Sequence, residues 1–396
     1  MRHTDRNELS MKVINITIAQ RNQRKTVVFV VCCWFLVASF HRLNPAFAAR
    51  FHTPNITAFF KDPGQSSNPR FITKELSLPG ATGLVTLDYF AWDRSTEKLW
   101  VPAGNLGSVD VIDGKTDEIT RITGFQTKEI ELKGRKVVIG PTSATVGKGV
   151  VYVGNRADAS ICLIDARTAK LGDCIRIASP SEGIAAAPDG VVYVAPTEEL
   201  WVTRGAPPLG IPSPDQSITI LDASSSKLKL KGKIPLGGSA EGYAVDERRG
   251  LFYTNLEESK QTIAIDVQQR KIVSRWQSGC DEARGLALDK ARRLLFVACS
   301  DRVVSLNVGN DGQVVGSIST GDGLDNIDYS EEQRTLYAAA SKAATLTIAE
   351  VGDRGDLKSI AVVPTTIGAR GVVAGKLGTA YVADPVRGRI LKVTPR

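Results

Sequence analysis

The chain has 396 residues, with 50 Lys and Arg against 42 Asp and Glu, a formal net charge of +8, and three histidines. Most of the excess positive charge lies in residues 1–48, which carry seven basic and two acidic residues and leave the remaining 348 at +3. That near-balance argues against nucleic-acid binding, since such proteins carry a basic patch or stripe.

The first 48 residues have the pattern of a secretory signal peptide. Arg21, Arg24 and Lys25 precede the apolar run Thr26–Phe40, and Ala46–Ala48 has the small-x-small form that signal peptidase accepts. The run is too short for a stable membrane span. We therefore expect a periplasmic or secreted protein with no transmembrane segment once residues 1–48 are removed.

Residues 49–70 contain Pro, Gly and Asn breakers and no sustained period, so we expect a flexible N-terminal segment. They include His52, after which the chain has no histidine. This argues against Ser-His-Asp or Cys-His catalysis and against zinc or copper sites built on imidazole. A redox role with a bound quinone or haem is also disfavoured, because there is no CxxCH motif and no axial histidine.

A repeated β pattern fills residues 71–396. One strand ends in an acidic residue or Asn, at Asp113, Asp165, Asp222, Asp266, Asn307 and Glu350, with spacings of 41 to 57 residues. Upstream lies an aromatic or apolar strand, as in "VVYVGNRA" or "LFYTNLEE", which occurs seven times. With a strand before and another after, each unit is a four-stranded meander. The spacing predicts an all-β, seven-bladed β-propeller as a single domain.

The seventh unit supplies only three strands before the chain ends at Arg396, while Phe71–Leu78 is an orphan strand before the first unit. We expect this N-terminal strand to complete the last blade, because it would pair edges that are otherwise bare.

The repeats "YVGN…SICLID", "YTN…QTIAID" and "YVAD…RILKV" resemble those of the YVTN-repeat (YncE-like) β-propellers, exported bacterial proteins. The likeness covers Phe71–Arg396. It implies a seven-bladed periplasmic or secreted propeller but no particular reaction, since fold does not fix function.

Four cysteines remain after the signal peptide, and an even number in an exported protein suggests disulfides. Three pairings are possible. We favour Cys162 with Cys174 and Cys280 with Cys299, because each pair flanks neighbouring strands. Four buried free thiols are the alternative.

Aligning the seven blades puts one residue of each at the mouth of the central channel. Four carboxylates and two guanidinium groups are expected to converge there, at Asp88, Pro141 or Thr142, Glu182, Glu241, Arg284, Asp325 and Arg370. Such a ring could hold a ligand, or it could be a set of ion pairs facing channel water.

An insertion in blade 3, Thr197–Gln216, is expected to form a long Pro-rich loop on the same face. It contains Trp201 and Arg204, which we take as candidates for contact with a partner. The alternative is a lid that only shields strand ends.

Two functions follow. The first is a non-catalytic, monomeric exported propeller without a cofactor that binds a protein or small-molecule ligand at the channel mouth. The alternative is a lactonase-like hydrolase in which Glu182, Glu241 and Asp325, with Asn326, hold Ca²⁺ or a similar divalent cation. Arg284 and Arg370 count against it, because they would compete with the cation.

Overall fold

The computed structural model describes residues 70–132, 134–179, 182–205 and 215–396. Their regular structure is β-strand, apart from short 3-10 helices at Gly104–Leu106, Ile184–Ala186, Ala195–Thr197 and Pro385–Arg387. They form a seven-bladed β-propeller of four-stranded antiparallel sheets, which confirms the predicted fold class. The predicted signal peptide and all but the last residue of the predicted flexible segment lie outside the described residues.

Strand β1 (Phe71–Ser77) belongs to the last blade, and the other blades follow chain order. Blade 1 contains β2 (Ala91–Asp93), β3 (Lys98–Ala103), β4 (Ser108–Asp113) and β5 (Ile119–Thr123). A hairpin of β6 (Lys128–Leu132) and β7 (Arg135–Ile139) comes next. Blade 2 contains β8 (Pro141–Gly147), β9 (Val150–Asn155), β10 (Ser160–Asp165) and β11 (Lys170–Arg176). Blade 3 contains β12 (Pro188–Val194), β13 (Glu199–Arg204), β14 (Ser217–Asp222) and β15 (Lys229–Pro235).

The remaining four blades are more regular in their spacing. Blade 4 contains β16 (Ala240–Asp246), β17 (Leu251–Leu256), β18 (Gln261–Asp266) and β19 (Lys271–Gln277). Blade 5 contains β20 (Leu286–Asp289), β21 (Leu294–Ala298), β22 (Arg302–Asn307) and β23 (Gln313–Ser319). Blade 6 contains β24 (Leu324–Ser330), β25 (Thr335–Ala340), β26 (Thr345–Val351) and β27 (Leu357–Pro364). Blade 7 contains β28 (Arg370–Ala374), β29 (Ala380–Asp384) and β30 (Arg389–Pro395), completed by β1.

The ring closes as the short C-terminal unit predicts. Strand β1 pairs with β30 along its whole length, from Phe71 opposite Pro395 to Ser77 opposite Arg389. The Arg396 N–H also donates to the Arg70 carbonyl at 3.0 Å. The two ends of the propeller therefore meet in one blade, in which β1 pairs with the outer edge of β30.

Apolar cores lie between neighbouring blades. Among the described residues, seven clusters of buried side chains each join two adjacent blades, because alternate residues of every strand face opposite sides of its sheet. The cluster at the closure contains Leu76 and Ile390 of blade 7 with Leu99 and Ile112 of blade 1. Each such fully buried side chain contributes about 1.5–3 kcal/mol of hydrophobic stabilisation. The latch is thus held by packing as well as by strand pairing.

The acidic residue that ends the third strand of most blades is a turn former. In blade 1, Asp113 Oδ1 accepts the Lys115 and Thr116 N–H groups at 2.9 and 3.0 Å. In blade 2, Asp165 Oδ1 accepts the Thr168 N–H at 2.7 Å. Asp and Asn stabilise turns in this way. The most conspicuous repeat in the sequence is therefore structural.

Both locally paired disulfides are present. Cys162 and Cys174 face each other across β10 and β11 with their Cα atoms 4.0 Å apart, and Cys280 and Cys299 lie 5.9 Å apart. This confirms the preferred pairing over four free thiols. Disulfides fit an extracellular or periplasmic protein. Within the described part of the chain, no helix is long and apolar enough to cross a membrane.

Candidate functional site

The site is built by the first strand of every blade, which lines the channel. Each of these strands, or the stretch up to three residues before it, places one side chain at the channel mouth. We call these seven residues the mouth ring: Asp88, Thr142, Asp189, Glu241, Arg284, Asp325 and Arg370. Five of the seven were predicted from the sequence, and Thr142 was one of two alternatives for blade 2. Asn326 lies directly after its ring residue and lines the channel cavity below.

Glycine follows the ring residue in four blades, and in blades 4 and 5 it allows a close approach to the backbone of the next blade. Gly242 has φ +70°, and a Cβ at this position would lie 2.2 Å from the Arg284 carbonyl oxygen of the next blade. A Cβ at Gly285 would lie 2.6 Å from the Asn326 Cα atom. A charged residue followed by glycine is thus a sequence signal for the mouth ring.

One half of the mouth ring, which we call the acidic arc, comprises Asp88, Asp189 and Glu241 with Arg156. Arg156 comes from the turn between β9 and β10 and forms ion pairs with Asp88, at 3.1 Å, and with Asp189. All three side chains are at most 4% exposed. Burial raises the pKa of Asp88 to about 7 and raises that of Asp189, although Arg156 acts in the opposite direction.

Glu241 completes the acidic arc, and among the described residues no cationic side chain forms an ion pair with it. It is 5% exposed, and the Tyr89 hydroxyl donates to its Oε1 at 3.0 Å. Burial and then the neighbouring carboxylates, with Asp189 the strongest, raise its pKa well above the ordinary value. Ionisation of Glu241 is therefore disfavoured in the folded protein.

The other half of the mouth ring, the basic arc, comprises Arg284, Asp325 and Arg370. Arg370 Nη1 lies 3.2 Å from Asp325 Oδ2, and their side chains are 34% and 12% exposed. Arg284 is 40% exposed and lies 3.8 Å from Glu282. Burial lowers the pKa of Arg370, but Asp325, Asp88 and Glu241 outweigh it and raise the pKa overall. The basic arc therefore presents two charged guanidinium groups at the surface.

The prediction of Glu182 as a member of the mouth ring is wrong. Glu182 precedes blade 3 and is 48% exposed, with its carboxylate 3.6 Å from Arg204 Nη1 and accepting the Ser179 N–H. Asp189 occupies the ring position instead. Both residues are followed by glycine, and the first strand of blade 3 is "PDGVVYV" rather than "EGIAAAP". The "VVYV" segment is therefore an innermost strand and not a second one.

The same shift corrects the predicted partner loop. Trp201 and Arg204 lie in β13, the second strand of blade 3, and are 1% and 4% exposed. Trp201 donates to the buried carboxylate of Glu199 at 3.0 Å, and Arg204 pairs with Asp215. Neither side chain is available to a partner. The insertion itself shortens to the stretch between β13 and β14, and its residues 206–214 lie outside the described residues.

The mouth ring does not assemble the carboxylate set of the metal hypothesis. Among the residues that the structure describes, which include Glu182, Glu241 and Asp325, no three His, Cys, Asp or Glu side chains are grouped to hold a metal ion. Glu182 pairs with Arg204, the buried Glu241 accepts a hydrogen bond from Tyr89, and Asp325 pairs with Arg370.

Sequence analysis missed two members of the site, Asp189 and Arg156. Asp189 is followed by glycine, as the mouth-ring pattern requires, but Glu182 is also followed by glycine and lies seven residues earlier. Arg156 has no counterpart in an alignment of first strands because it reaches the mouth from a turn.

No family model matches this sequence, and no curated protein matches it. Among solved structures, a chain of the "Crystal Structure of Mitotic Checkpoint Complex" is similar over 90% of this chain and 97% of its own, with a TM-score of 0.63 and 11% identity. At that identity the likeness supports the propeller fold alone.

Proposed function

We propose that this protein is a non-catalytic, exported propeller that binds a ligand or protein partner at its channel-mouth face. The observation that carries the proposal is the basic arc. The side chains of Arg284 and Arg370 are 40% and 34% exposed beside a deeply buried polar cluster. Arginine exposed at such a rim favours a carboxylate or phosphate group on the partner.

The absence of histidine after His52 supports a binding role over general base catalysis. The repeat residues quoted above support a place among the YVTN-repeat propellers, and the two disulfides support export to an oxidising compartment. The family and the compartment are parts of the same proposal.

The test is capture from an exported-protein fraction with three immobilised baits. These are the wild-type protein, the double variant Arg284→Glu and Arg370→Glu, and the control Arg248→Glu. Arg248 is an exposed residue in the turn between β16 and β17, at the opposite end of the strands. We expect the wild type and the control to retain a partner that the double variant loses. Equal capture by all three baits would count against the mouth face.

A small-molecule ligand is tested by the same variants in a thermal-shift screen of carboxylates and phosphates. Stabilisation of the wild type and the control, but not of the double variant, is the expected result. If neither capture nor the screen depends on the two arginines, the proposal fails.

A further inference from the structure

Below the mouth ring the channel contains two adjoining cavities, which we call the lumen. The upper cavity has a volume of about 300 Å³ and is walled mainly by the first strands of the blades. The lower cavity, of about 790 Å³, continues to the turns between first and second strands and shares Arg94 and Asp328 with the upper one. Polar groups make up more of the wall than hydrocarbon does in both cavities. The volumes are those of small-molecule sites, and the wall favours a polar ligand.

One carboxylate lines both cavities. Asp328 lies near the end of β24, and the Tyr329 and Ala374 N–H groups donate to its Oδ1 and Oδ2, each at 2.8 Å. These backbone bonds fix the carboxylate between blades 6 and 7, and each oxygen keeps a second lone pair for another donor. Burial raises the pKa of Asp328 to about 6, against the effect of the two N–H groups and Arg94, so the carboxylate is largely ionised at pH 7.5.

Arg94 supplies the opposite charge. It follows β2 in the first turn of blade 1, is exposed, and lines both cavities. Among the described residues its guanidinium group has no hydrogen bond and no ion pair. It acts on Asp328 through space without contacting it. A guanidinium group and a carboxylate therefore face the same lumen without pairing with each other.

The other charged side chains of the lumen already have partners in the protein. Ion pairs or hydrogen bonds hold Asp88, Asp93, Lys148, Glu247, Lys290 and Glu331. Glu331 is the most weakly held of these carboxylates, because its bond comes from the Lys290 backbone N–H at 2.9 Å, and it is exposed. Arg94 and Asp328 are thus the two opposite charges that remain for a ligand.

We propose that the lumen binds a small zwitterion, whose ammonium group pairs with Asp328 and whose carboxylate pairs with Arg94. A guanidinium group donates two parallel N–H bonds to a carboxylate, and an ammonium group can donate to the free lone pairs of Asp328. Because the ligand brings one charge of each sign, neither protein charge is left uncompensated. This site is separate from the mouth ring and does not depend on the proposed function.

Ligands with a single kind of charge fit the lumen less well. A plain amine would leave Arg94 without a partner, and a plain carboxylate would leave Asp328 without one. A divalent cation would be repelled by Arg94, and within the described part of the chain no three acidic, His or Cys side chains are grouped to hold a metal ion.

The main test is calorimetric titration of the wild type at pH 7.5 with glycine, β-alanine, γ-aminobutyrate, 5-aminovalerate and 6-aminohexanoate. This series places an increasing number of methylene groups between the ammonium group and the carboxylate. Each amino acid is compared with the alkylamine and the carboxylate of the same chain length. We expect at least one amino acid to bind at least about tenfold more tightly than both of its analogues. If every amino acid stayed within about threefold of its analogues, or none bound, the proposal would be overturned.

Two substitutions assign each charge of the tightest-binding amino acid to its partner. In Arg94→Gln, at an exposed turn position, the amino acid should bind within about threefold of the amine, because its carboxylate has lost the guanidinium group. In Asp328→Asn it should bind within about threefold of the carboxylate analogue. A variant that kept the wild-type preference over both analogues would show that the substituted residue does not contact the ligand. The Arg94→Gln result stands even if Asp328→Asn folds poorly.

The matched controls lie at the lower end of the same lumen. Lys148→Gln and Glu331→Gln remove one cation and one carboxylate there, and both variants should bind the amino acid as the wild type does. A loss of about tenfold in either control would place the ligand on these exposed groups and contradict the pairing with Arg94 and Asp328. The mouth variant Arg284→Glu and Arg370→Glu should also bind the amino acid normally, so failure here is distinct from failure of the proposed function.

Discussion

The two arcs of the mouth ring use similar charged groups in opposite ways. In the acidic arc, Asp88, Asp189 and Arg156 are at most 4% exposed, whereas Arg284 and Arg370 of the basic arc are 40% and 34% exposed. Ion pairs in water contribute little to stability, but a buried charge that loses its partner is strongly destabilising. The acidic arc therefore stabilises the contacts between the inner ends of blades 1 to 4, whereas the basic arc is accessible to a partner.

The largest effect should come from removing the cation of the acidic arc. Arg156→Met leaves Asp88 and Asp189 buried without their shared partner, and we expect a loss of about 3–5 kcal/mol in the free energy of unfolding at pH 7.5. Urea unfolding with the disulfides intact measures it. At pH 5 the loss should be smaller, because protonated carboxyl groups no longer need the cation.

The matched control is Arg284→Met in the basic arc. Its side chain is 40% exposed and its contact with Glu282 is 3.8 Å, so we expect a change of about 0–1 kcal/mol. If the two substitutions destabilised the protein equally, the division into a structural and an accessible arc would be wrong.

Substitution of Glu241 is expected to raise the free energy of unfolding, by less than Arg156→Met lowers it. Its folded pKa is raised, so the unfolded chain releases a proton that the folded protein keeps, and stability falls as pH rises above the ordinary value of 4.5. Glu241→Gln removes this penalty. We expect the variant to be more stable than the wild type at pH 8, by on the order of 1–2 kcal/mol, and to have no advantage at pH 4.

Glu182→Gln is the control for the pH dependence expected of Glu241→Gln, because the pKa of Glu182 is shifted in the opposite direction. The Ser179 N–H, and more weakly Arg204, lower the pKa of Glu182, so its contribution is present above the ordinary pKa and lost as pH falls. That variant should be slightly less stable than the wild type at pH 8 and equal to it at low pH. A gain in both variants at pH 8 would mean that general charge repulsion, and not burial of Glu241, is responsible.

The architecture could be predicted from the sequence because it rests on local, repeated features. The acidic turn first seen at Asp113 and the apolar second strand recur at similar spacing along the chain. The orphan strand at Phe71–Leu78 supplies the strand that the last unit lacks. The two disulfides followed from the same reasoning, since Cys162 and Cys174 lie on neighbouring strands and Cys280 and Cys299 lie in loops that flank the first two strands of blade 5. The hairpin β6–β7 was missed because it breaks the period.

The site could be predicted only where the period holds. In blade 3 two charge-glycine pairs compete, and local pattern cannot decide which of two apolar segments lies innermost; that depends on how β12 packs between β8 and β16. Because Glu182 was assigned to the mouth ring, Trp201 was predicted to lie in a loop, whereas it lies in the buried strand β13. The role of Arg156 required the three-dimensional structure, since its turn approaches Asp88 and Asp189 only when blades 1 to 3 are assembled.

The smallest expected effect distinguishes the arcs by their response to salt. Asp325→Asn removes the carboxylate that lies 3.2 Å from Arg370, a partly exposed pair, and should cost about 0–1 kcal/mol at low ionic strength. Raising the salt concentration to about 1 M should shrink that cost, because mobile ions screen charges that face water. The loss caused by Arg156→Met should change little over the same range, since its ion pairs are buried. If salt reduced both losses in proportion, Arg156 would be in contact with solvent, and the acidic arc would be part of the binding surface.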